Sequence, residues 1–465
     1  MSTHYEEDCV GRLPIDDDVL YGVHSARAAG NFPFARMTDP LIVRNLVQIK
    51  KAAAQVNRAG GTLAANKASA IVAACNELLL GQHQEAFIVP AIQGGAGTSS
   101  NMNVNEVIAH LARRNTGLLV HPNDDVNQGQ STNDTYPTAG KMALLELVPA
   151  LLEAVALLSQ TLLAKADEYH DAIRVGRTQL QDAVPTTFGA TFHAYSNMFR
   201  RDLRRLHVAS AALKTVSLGG TAIGTGLNAS PFYRQHIVAQ VNQQTGLELQ
   251  QADDLSDAIQ NVDVFPEFSG ALKALAVNLN KFCNDLRLLG SGPQAGLGEL
   301  HLPARQAGSS IMPNKINPVI PEAVNQVAFS VIGNDVTVTM AAEAGQLELN
   351  AFEPIMLAKL LENERNLSAA IKMLVTKCVR GITVNTELCR SEVEQSAVAA
   401  TVLAPLLGYK ATTQLIKEAM ATNNSVRALL LEKQLLPAAT VAELFSAAVL
   451  TGSSRVTAPA QATGR

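Results

Sequence analysis

The chain has 465 residues, of which 47% are hydrophobic and 17% charged, and its formal net charge is -4. That length suffices for two or three domains around a large core, and the slightly acidic balance leaves no broad basic field to attract nucleic acid. Five cysteines, Cys9, Cys75, Cys283, Cys378 and Cys389, are odd in number and widely spaced, which reads as a reduced cytoplasmic protein without a disulfide framework or a zinc site.

The first eight residues are acidic and polar, unlike a signal or transit peptide. Residues 93–105 form the first polar break. Its glycines, in Gly94-Gly95-Ala96-Gly97-Thr98-Ser99-Ser100-Asn101, suggest a phosphate cradle, but the Gly-Lys-Ser/Thr ending of a P-loop is missing. What remains is a cluster of short hydroxyl and amide side chains. A second break, residues 121–137, holds another in Gln130-Ser131-Thr132-Asn133-Asp134. Two such clusters could grip both carboxylates of a small diacid, although either one alone is more often a helix cap or turn.

An apolar seam follows at Leu144, Val148, Leu151, Val155, Leu158 and Leu162, where Pro149 predicts a kink or a restart. The third break, residues 176–185, contains Arg177 and Asp182, readable as a structural ion pair. A second seam, Leu272, Leu275, Leu279, Phe282, Leu286 and Leu289, alternates three and four apart as in a coiled coil. After a fourth break, residues 290–318, a helix is predicted over residues 321–340. It carries Val324, Val327, Ala328 and Val331 on one side and Asn325, Gln326, Asn334 and Asp335 on the other. The tail, residues 451–465, is expected to be loosely ordered. With 4% aromatic residues and no Trp, the core must be filled by Leu, Val, Ile and Ala. No alternating pattern long enough for a central sheet occurs, nor any run of about 18 uncharged apolar residues that would span a membrane. The expected fold class is all-α.

Function in such a scaffold belongs to its loops. In Gly308-Ser309-Ser310-Ile311-Met312-Pro313-Asn314-Lys315-Ile316-Asn317-Pro318, two serines precede a lysine and an asparagine. A serine is a poor base unless N–H donors and a nearby cation stabilise its oxyanion in a dry site. Lys315 is a suitable cation, though on spacing alone a mobile Ser/Gly loop with a solvated Lys is the preferred reading. His193, His207 and His236 lack metal-ligand spacing, and no Gly-x-Ser-x-Gly elbow is present, which argues against a metal hydrolase and a serine hydrolase.

Taken together, in order, these loops resemble the aspartase/fumarase superfamily, and the resemblance runs from Tyr21-Gly22-Val23-His24 to the Leu407-Gly408 region. The 308–318 loop is that superfamily's characteristic segment; Gly97-Thr98, Ser131-Thr132-Asn133 and Gly176-Arg177-Thr178 match its other active-site regions. The resemblance implies an all-α, three-domain fold with a long central helical bundle. Its parts would be an N-terminal, mainly helical domain over 1–130, a central bundle over 131–383 and a small C-terminal helical domain over 384–465. It implies a homotetramer whose active sites are shared between subunits, a small dicarboxylate substrate, and neither a nucleic-acid nor a membrane partner.

The implied reaction is anti elimination to give fumarate through an aci-carboxylate intermediate, with Ser309 as general base. Lys315, Asn317, Thr98, Ser131, Thr132, Asn133, Gln179 and Arg27 would bind substrate. No organic cofactor or resident metal is implied, and activation by a divalent metal stays open.

Ammonia or water could be the leaving group. Residues 21–24, 94–99, 179–185 and 334–347 resemble the aspartase branch, implying ammonia loss from L-aspartate. Fumarases usually carry a His where Gln179 stands, paired with a Glu matched here by Glu322, and Gln cannot titrate. Residues 121–127 resemble a second anion site of fumarases, but Leu118 and Leu119 stand where an Arg is expected, so a capped turn is the preferred reading. Asn314 replaces the family's small residue. Class II fumarase is the alternative, and a non-catalytic homologue the second one.

Overall fold

A computed structural model describes residues 2–422, 424–452, 454 and 456, so most of the 451–465 tail lies outside the described residues. The chain opens with a hairpin, β1 (Thr3–Asp8) and β2 (Gly11–Asp16), followed by helices α1 (Val23–Asn31), α2 (Pro40–Ala59), α3 (Ala65–Leu79), α4 (Thr98–Thr116) and α5 (Thr132–Glu168). A second hairpin, β3 (Ile173–Thr178) and β4 (Gln181–Thr187), leads into α6 (Phe188–Ala212). Then come β5 (Thr215–Val216), α7 (Pro231–Thr245), β6 (Gln250–Gln251), α8 (Leu255–Gln260) and α9 (Val264–Leu289). The short β7 (Leu300–His301), α10 (Val319–Glu343), α11 (Glu353–Lys377), β8 (Thr383–Val384) and α12 (Thr386–Gln395) precede a run of short helices that ends at Leu450. Strands among the described residues form only two-stranded ribbons, as expected of an essentially helical chain.

Two compact units are present. One comprises Met1–Leu152, Arg204–Ala276 and Phe329–Ser368; the other comprises Glu153–Leu203, Val277–Ala328 and Ala369–Arg465. In the first, α2 starts where Asp39 accepts a hydrogen bond from the Leu41 N–H and Pro40 supplies a ready-made first turn. Its face of Ile42, Leu46, Ile49, Ala53 and Val56 is buried, and it packs on α3 and α7. In the second, Ile173 and Val175 of β3 share one apolar core with Val393, Leu415, Leu429, Leu430, Leu444 and Leu450 from the C-terminal helices.

Three expectations change. First, Pro149 neither ends nor restarts the helix: α5 runs for 37 residues through both Pro137 and Pro149, forgoing the backbone hydrogen bonds their missing N–H groups would make. By length and composition α5 is the one helix among the described residues that could cross a bilayer, yet its seam from Leu144 to Leu162 is buried in protein. Second, the tetramer that the resemblance implies would bury the apolar seams between chains, whereas both, including Leu272 to Leu289 on α9, are already covered within the single chain.

Third, α10 buries the predicted apolar side, with Val324, Ala328 and Val331 enclosed, but Asn325, Asn334 and Asp335 from its predicted polar side are buried too. Asp335 is buried and takes hydrogen bonds from Ser269 Oγ (2.8 Å) and Lys273 Nζ (2.6 Å), and Asn334 donates to Asn363 Oδ1 at 2.7 Å. Phe329, Val336 and Met340, with Gly333 between them, stand more than half exposed on the outer face.

Candidate active site

The 93–105 stretch is mostly helix rather than loop. Gly95 (φ 87°), Ala96 (φ 54°) and Gly97 (φ 89°) are three successive left-handed residues that turn the chain into α4, so Thr98 opens the helix. A Cβ on Gly97 would lie 2.4 Å from the buried ring of Tyr136, which makes glycine obligatory there. Ser99, Ser100, Asn101, Asn103 and Asn105, spread around the first turns of α4, are all buried polar residues. One turn beyond Thr98, Asn101 Nδ2 donates to Thr132 Oγ1 (3.1 Å) and to Asn127 Oδ1 (3.2 Å).

The Ser131–Asn133 segment is therefore anchored from below. Asn127 Oδ1 also accepts from Lys50 Nζ at 2.8 Å and Asn105 Nδ2 at 3.2 Å, while Lys50 donates at 2.9 Å to Gln130 Oε1. Asp134 accepts from the Ser131, Gly219 and Thr221 N–H groups, each at 3.0 Å, and Asn133 Nδ2 donates to the Ala222 carbonyl at 2.8 Å. Lys50 and Asp134 are both fully enclosed. Burial pushes the Lys50 ammonium down to about 7, against the pull of the Asp134 carboxylate. Burial likewise raises Asp134 to about 6, against three N–H donors.

Thr98 and Arg27 line one cavity of about 810 Å³ in the first unit, together with His24, Met102 and Arg113. The short helix α1, which carries Arg27, is fixed at its N-terminus by two carboxylates. Glu106 accepts from the Gly22, His24 and Ser25 N–H groups and the Ser25 hydroxyl, and Glu6 accepts from the Val23 N–H at 2.8 Å. Burial works against ionisation of Glu6, but hydrogen bonds from His110, Val23 and His4 hold it down at about 2. The Arg27 guanidinium is held by the first hairpin, donating to Asp8 Oδ2 (2.9 Å) and the Gly11 carbonyl (2.8 Å).

In the second unit the 308–318 loop closes on itself. The Gly308 N–H donates to the Lys315 carbonyl, and Asn317 Nδ2 donates back to the Gly308 carbonyl, both at 2.8 Å. A Cβ at Gly308 would meet Lys315 O at 2.7 Å and Asn317 at 2.8 Å. The loop thus folds the Lys315 backbone and the Asn317 side chain back onto Gly308, the residue before Ser309. Ser309 Oγ accepts from the N–H groups of Ile311 (3.1 Å) and Met312 (3.0 Å), the kind of donors that favour a negative oxygen. Residues 311–316, Lys315 among them, are exposed. Asn314 sits at φ 61°, a left-handed position that Asn tolerates better than most side chains, which accounts for an amide at that point of the turn.

Gln179 and Leu180, both exposed, are the two central residues of the β3–β4 turn, at φ 57° and 62°. Behind them Arg177 contacts Glu299, Glu392 (3.5 Å) and Asp182 (3.7 Å), and Arg174 Nε lies 2.7 Å from Glu299. Residues 121–127 form the capped turn: the His121 ring accepts from the Asp124 N–H (3.1 Å) and Asp125 pairs with Lys67 at 2.7 Å. Among the described residues no group of three or more His, Cys, Asp or Glu side chains is placed to hold a metal.

Sequence reasoning missed Lys50, Asn127, Glu6, Asp8, Glu106, Glu299 and Glu392. A lone charged or amide side chain reads as solvated surface, in a helix (Lys50, Glu106, Glu392) or outside one (Glu6, Asp8, Asn127, Glu299), and only the tertiary structure shows that these are enclosed or paired.

The sequence profile of a family described as "Lyase" matches residues 11–333, and one described as "Fumarase C C-terminus" matches residues 400–452. The aspartate ammonia-lyase of Pseudomonas aeruginosa is 47% identical over 454 residues, covering 96% of each chain. A crystal structure described as fumarate lyase:delta crystallin from Brucella melitensis, bound to cobalt, superposes with a TM-score of 0.93 at 45% identity, covering 97% of this chain and 100% of that one. The recombinant class II fumarase of Schistosoma mansoni follows with a TM-score of 0.90 at 32% identity, covering 97% and 99%.

Proposed function

The chain belongs to the aspartase/fumarase family of lyases, and from that premise we infer that it is an aspartate ammonia-lyase, removing ammonia from L-aspartate to give fumarate. The observation that carries this choice is the near full-length identity of 47% to an aspartate ammonia-lyase, well above the 32% to a class II fumarase. Gln179 at the hairpin tip agrees, since it supplies no titrating partner for Glu322. Hydration of fumarate is the second reading, favoured by the match of residues 400–452 to a fumarase C-terminus.

Ser309 takes the proton from the carbon beside one substrate carboxylate, and that carboxylate carries the charge as the aci-carboxylate. The two N–H donors on Ser309 Oγ support this role, because they stabilise the oxygen as it becomes a base. Lys315 and Asn317 bind the charged carboxylate; Thr98, Ser131, Thr132, Asn133, Gln179 and Arg27 complete substrate binding. The reading includes domains over 1–130, 131–383 and 384–465 and a cytoplasmic location, the latter supported by five free cysteines. It also includes a homotetramer with active sites shared between subunits. The stripe of Phe329, Gly333, Val336 and Met340, spaced three and four apart and exposed on a single chain, supports a helix-to-helix seam with another copy.

Initial rates of the purified protein on L-aspartate and on L-malate test the activity. Aspartate turnover should dominate; malate turnover clearly exceeding it would overturn the assignment. Val336→Glu should lower the mass measured by light scattering, and an unchanged mass would remove that stripe from the interface.

A further inference from the structure

The ion cluster behind the Gln179 turn joins three distant parts of the second unit. Glu299 is completely buried, and its carboxylate is met by Arg174 Nε and by Arg177 Nη1. A carboxylate so enclosed is costly unless paired, and two guanidinium groups satisfy both its oxygens. Glu299 lies on the segment that leads into the 308–318 loop. Its carbonyl accepts the Asn385 N–H at 2.9 Å, and the next two residues pair with β8. The other end of the Arg177 fork, Nη2, reaches Glu392 of α12 at 3.5 Å. Its Nε faces Asp182, the residue opposite it in the hairpin register, at 3.7 Å. One side chain therefore touches the hairpin, the segment before the catalytic loop and the first C-terminal helix.

What this grip secures is an unfavourable turn. Two-residue hairpin turns with both central residues left-handed normally use Asn-Gly or Asp-Gly, yet here they are Gln179 and Leu180. Such strain persists only where the surroundings over-determine it, and it concentrates at functional sites. The register shift between Val175 and Arg177 marks a bulge, which re-aims the side chains beyond it. The apolar core of the hairpin lies at Ile173 and Val175, at the far end of the strand, so it holds the base of the hairpin and leaves the tip to Arg177.

We propose that Arg177, bridging Glu299 and Glu392, is a positioning residue for the elimination, holding the Gln179 turn and the approach to the Ser309 loop in the geometry that catalysis needs. This rests on the reading that Gln179 and Ser309 belong to the active site. Arg177→Lys keeps the charge but cannot span two carboxylates.

The test compares Arg177→Lys, Glu392→Gln and Gln179→Ala with the parent protein by steady-state kinetics on L-aspartate, thermal midpoint and light scattering. Arg177→Lys should lose about tenfold or more in kcat/KM, as expected for a small displacement of a substrate-contacting group. Its mass and midpoint should stay near the parent's. Glu392→Gln should show a smaller loss, and millimolar guanidinium should partly restore an Arg177→Ala variant. Arg177→Lys or Glu392→Gln within twofold of the parent, while Gln179→Ala is impaired, would overturn the proposal alone. A loss that merely tracks the fraction unfolded would also overturn it. Normal kinetics in Gln179→Ala would overturn both the proposal and the reading beneath it.

Discussion

The turn that delivers Thr98 into α4 has no space for a side chain, and replacing Gly97 by alanine measures how tightly that delivery is specified. Two costs combine. The residue sits at φ 89°, where an L side chain costs roughly 1–2 kcal/mol. The new methyl group would also lie 2.4 to 2.5 Å from three ring carbons of Tyr136, itself 1% exposed and unable to swing away. Overpacking of this kind costs about 1–3 kcal/mol. Gly117, at the other end of the same helix, separates the two effects: its φ is 74°, but nothing lies within 4 Å of a Cβ there. Gly117→Ala should therefore cost only the backbone strain, while Gly97→Ala should cost roughly 2–5 kcal/mol in all. Scanning calorimetry at matched protein concentration reads the difference as a lower midpoint for Gly97→Ala, and kcat on L-aspartate should fall with it because Thr98 is displaced. Equal destabilisation by the two variants would refute the close contact with Tyr136 and the reasoning built on it.

Ser309→Ala should lose about 10²-fold or more of kcat while keeping its circular dichroism and mass; near-normal turnover would move the base elsewhere. Gln179→His should raise any residual malate turnover, and no change would show that this position does not discriminate water from ammonia. The buried Lys50 predicts an unusual pH response. Its folded pKa of about 7 lies below the unfolded value, so between pH 7 and about 10 the unfolded chain binds the extra proton. Lys50 therefore adds stability as pH rises through that window, with a slope of up to about 1.4 kcal/mol per pH unit. Thermal midpoints over this range should rise relative to a Lys50→Met variant; parallel profiles would contradict the burial of a titrating amine. Asp134, raised to about 6, acts the other way at lower pH: the folded state holds the extra proton from the unfolded value of about 4 up to pH 6, so its contribution falls across that interval.

Much of the architecture was legible because helices announce themselves by period. The seams at Leu144–Leu162 and Leu272–Leu289 are apolar stripes in the sequence and buried stripes in the fold. What the period could not say was which surface covered them, and within the single chain it is the protein's own core. On α10 the period picks out the buried side, Val324, Ala328 and Val331, but not its width: Asn334 and Asp335 are enclosed by specific partners as well, while Phe329, Val336 and Met340 face outward. The β3–β4 hairpin escaped notice because its turn is Gln-Leu rather than Asn-Gly, and because Ile173, Arg174 and Val175 are buried in succession without alternating. Residues 98–105 looked like loop because short polar side chains are read as solvated, whereas the fold uses them as internal hydrogen-bonding groups. Of the candidate site, the hydroxyls, amides and loop residues could be named from their motifs. Their supports, Lys50, Asn127 and Glu106, could not, because nothing local distinguishes a buried charge or amide from an exposed one.

The apolar partnership of the second hairpin has a consequence for the order in which the protein is made. Val175 leaves the ribosome early, yet Leu430, Leu444 and Leu450, which cover it, are far downstream. At about 5–20 residues per second, the hairpin waits roughly 15 to 55 s for those residues to be synthesised. During that interval Ile173 and Val175 lie uncovered beside open strand edges, a surface prone to unwanted pairing. Translation that stalls before the last helices would leave not merely a shortened chain but one whose Gln179 turn has no core to stand on.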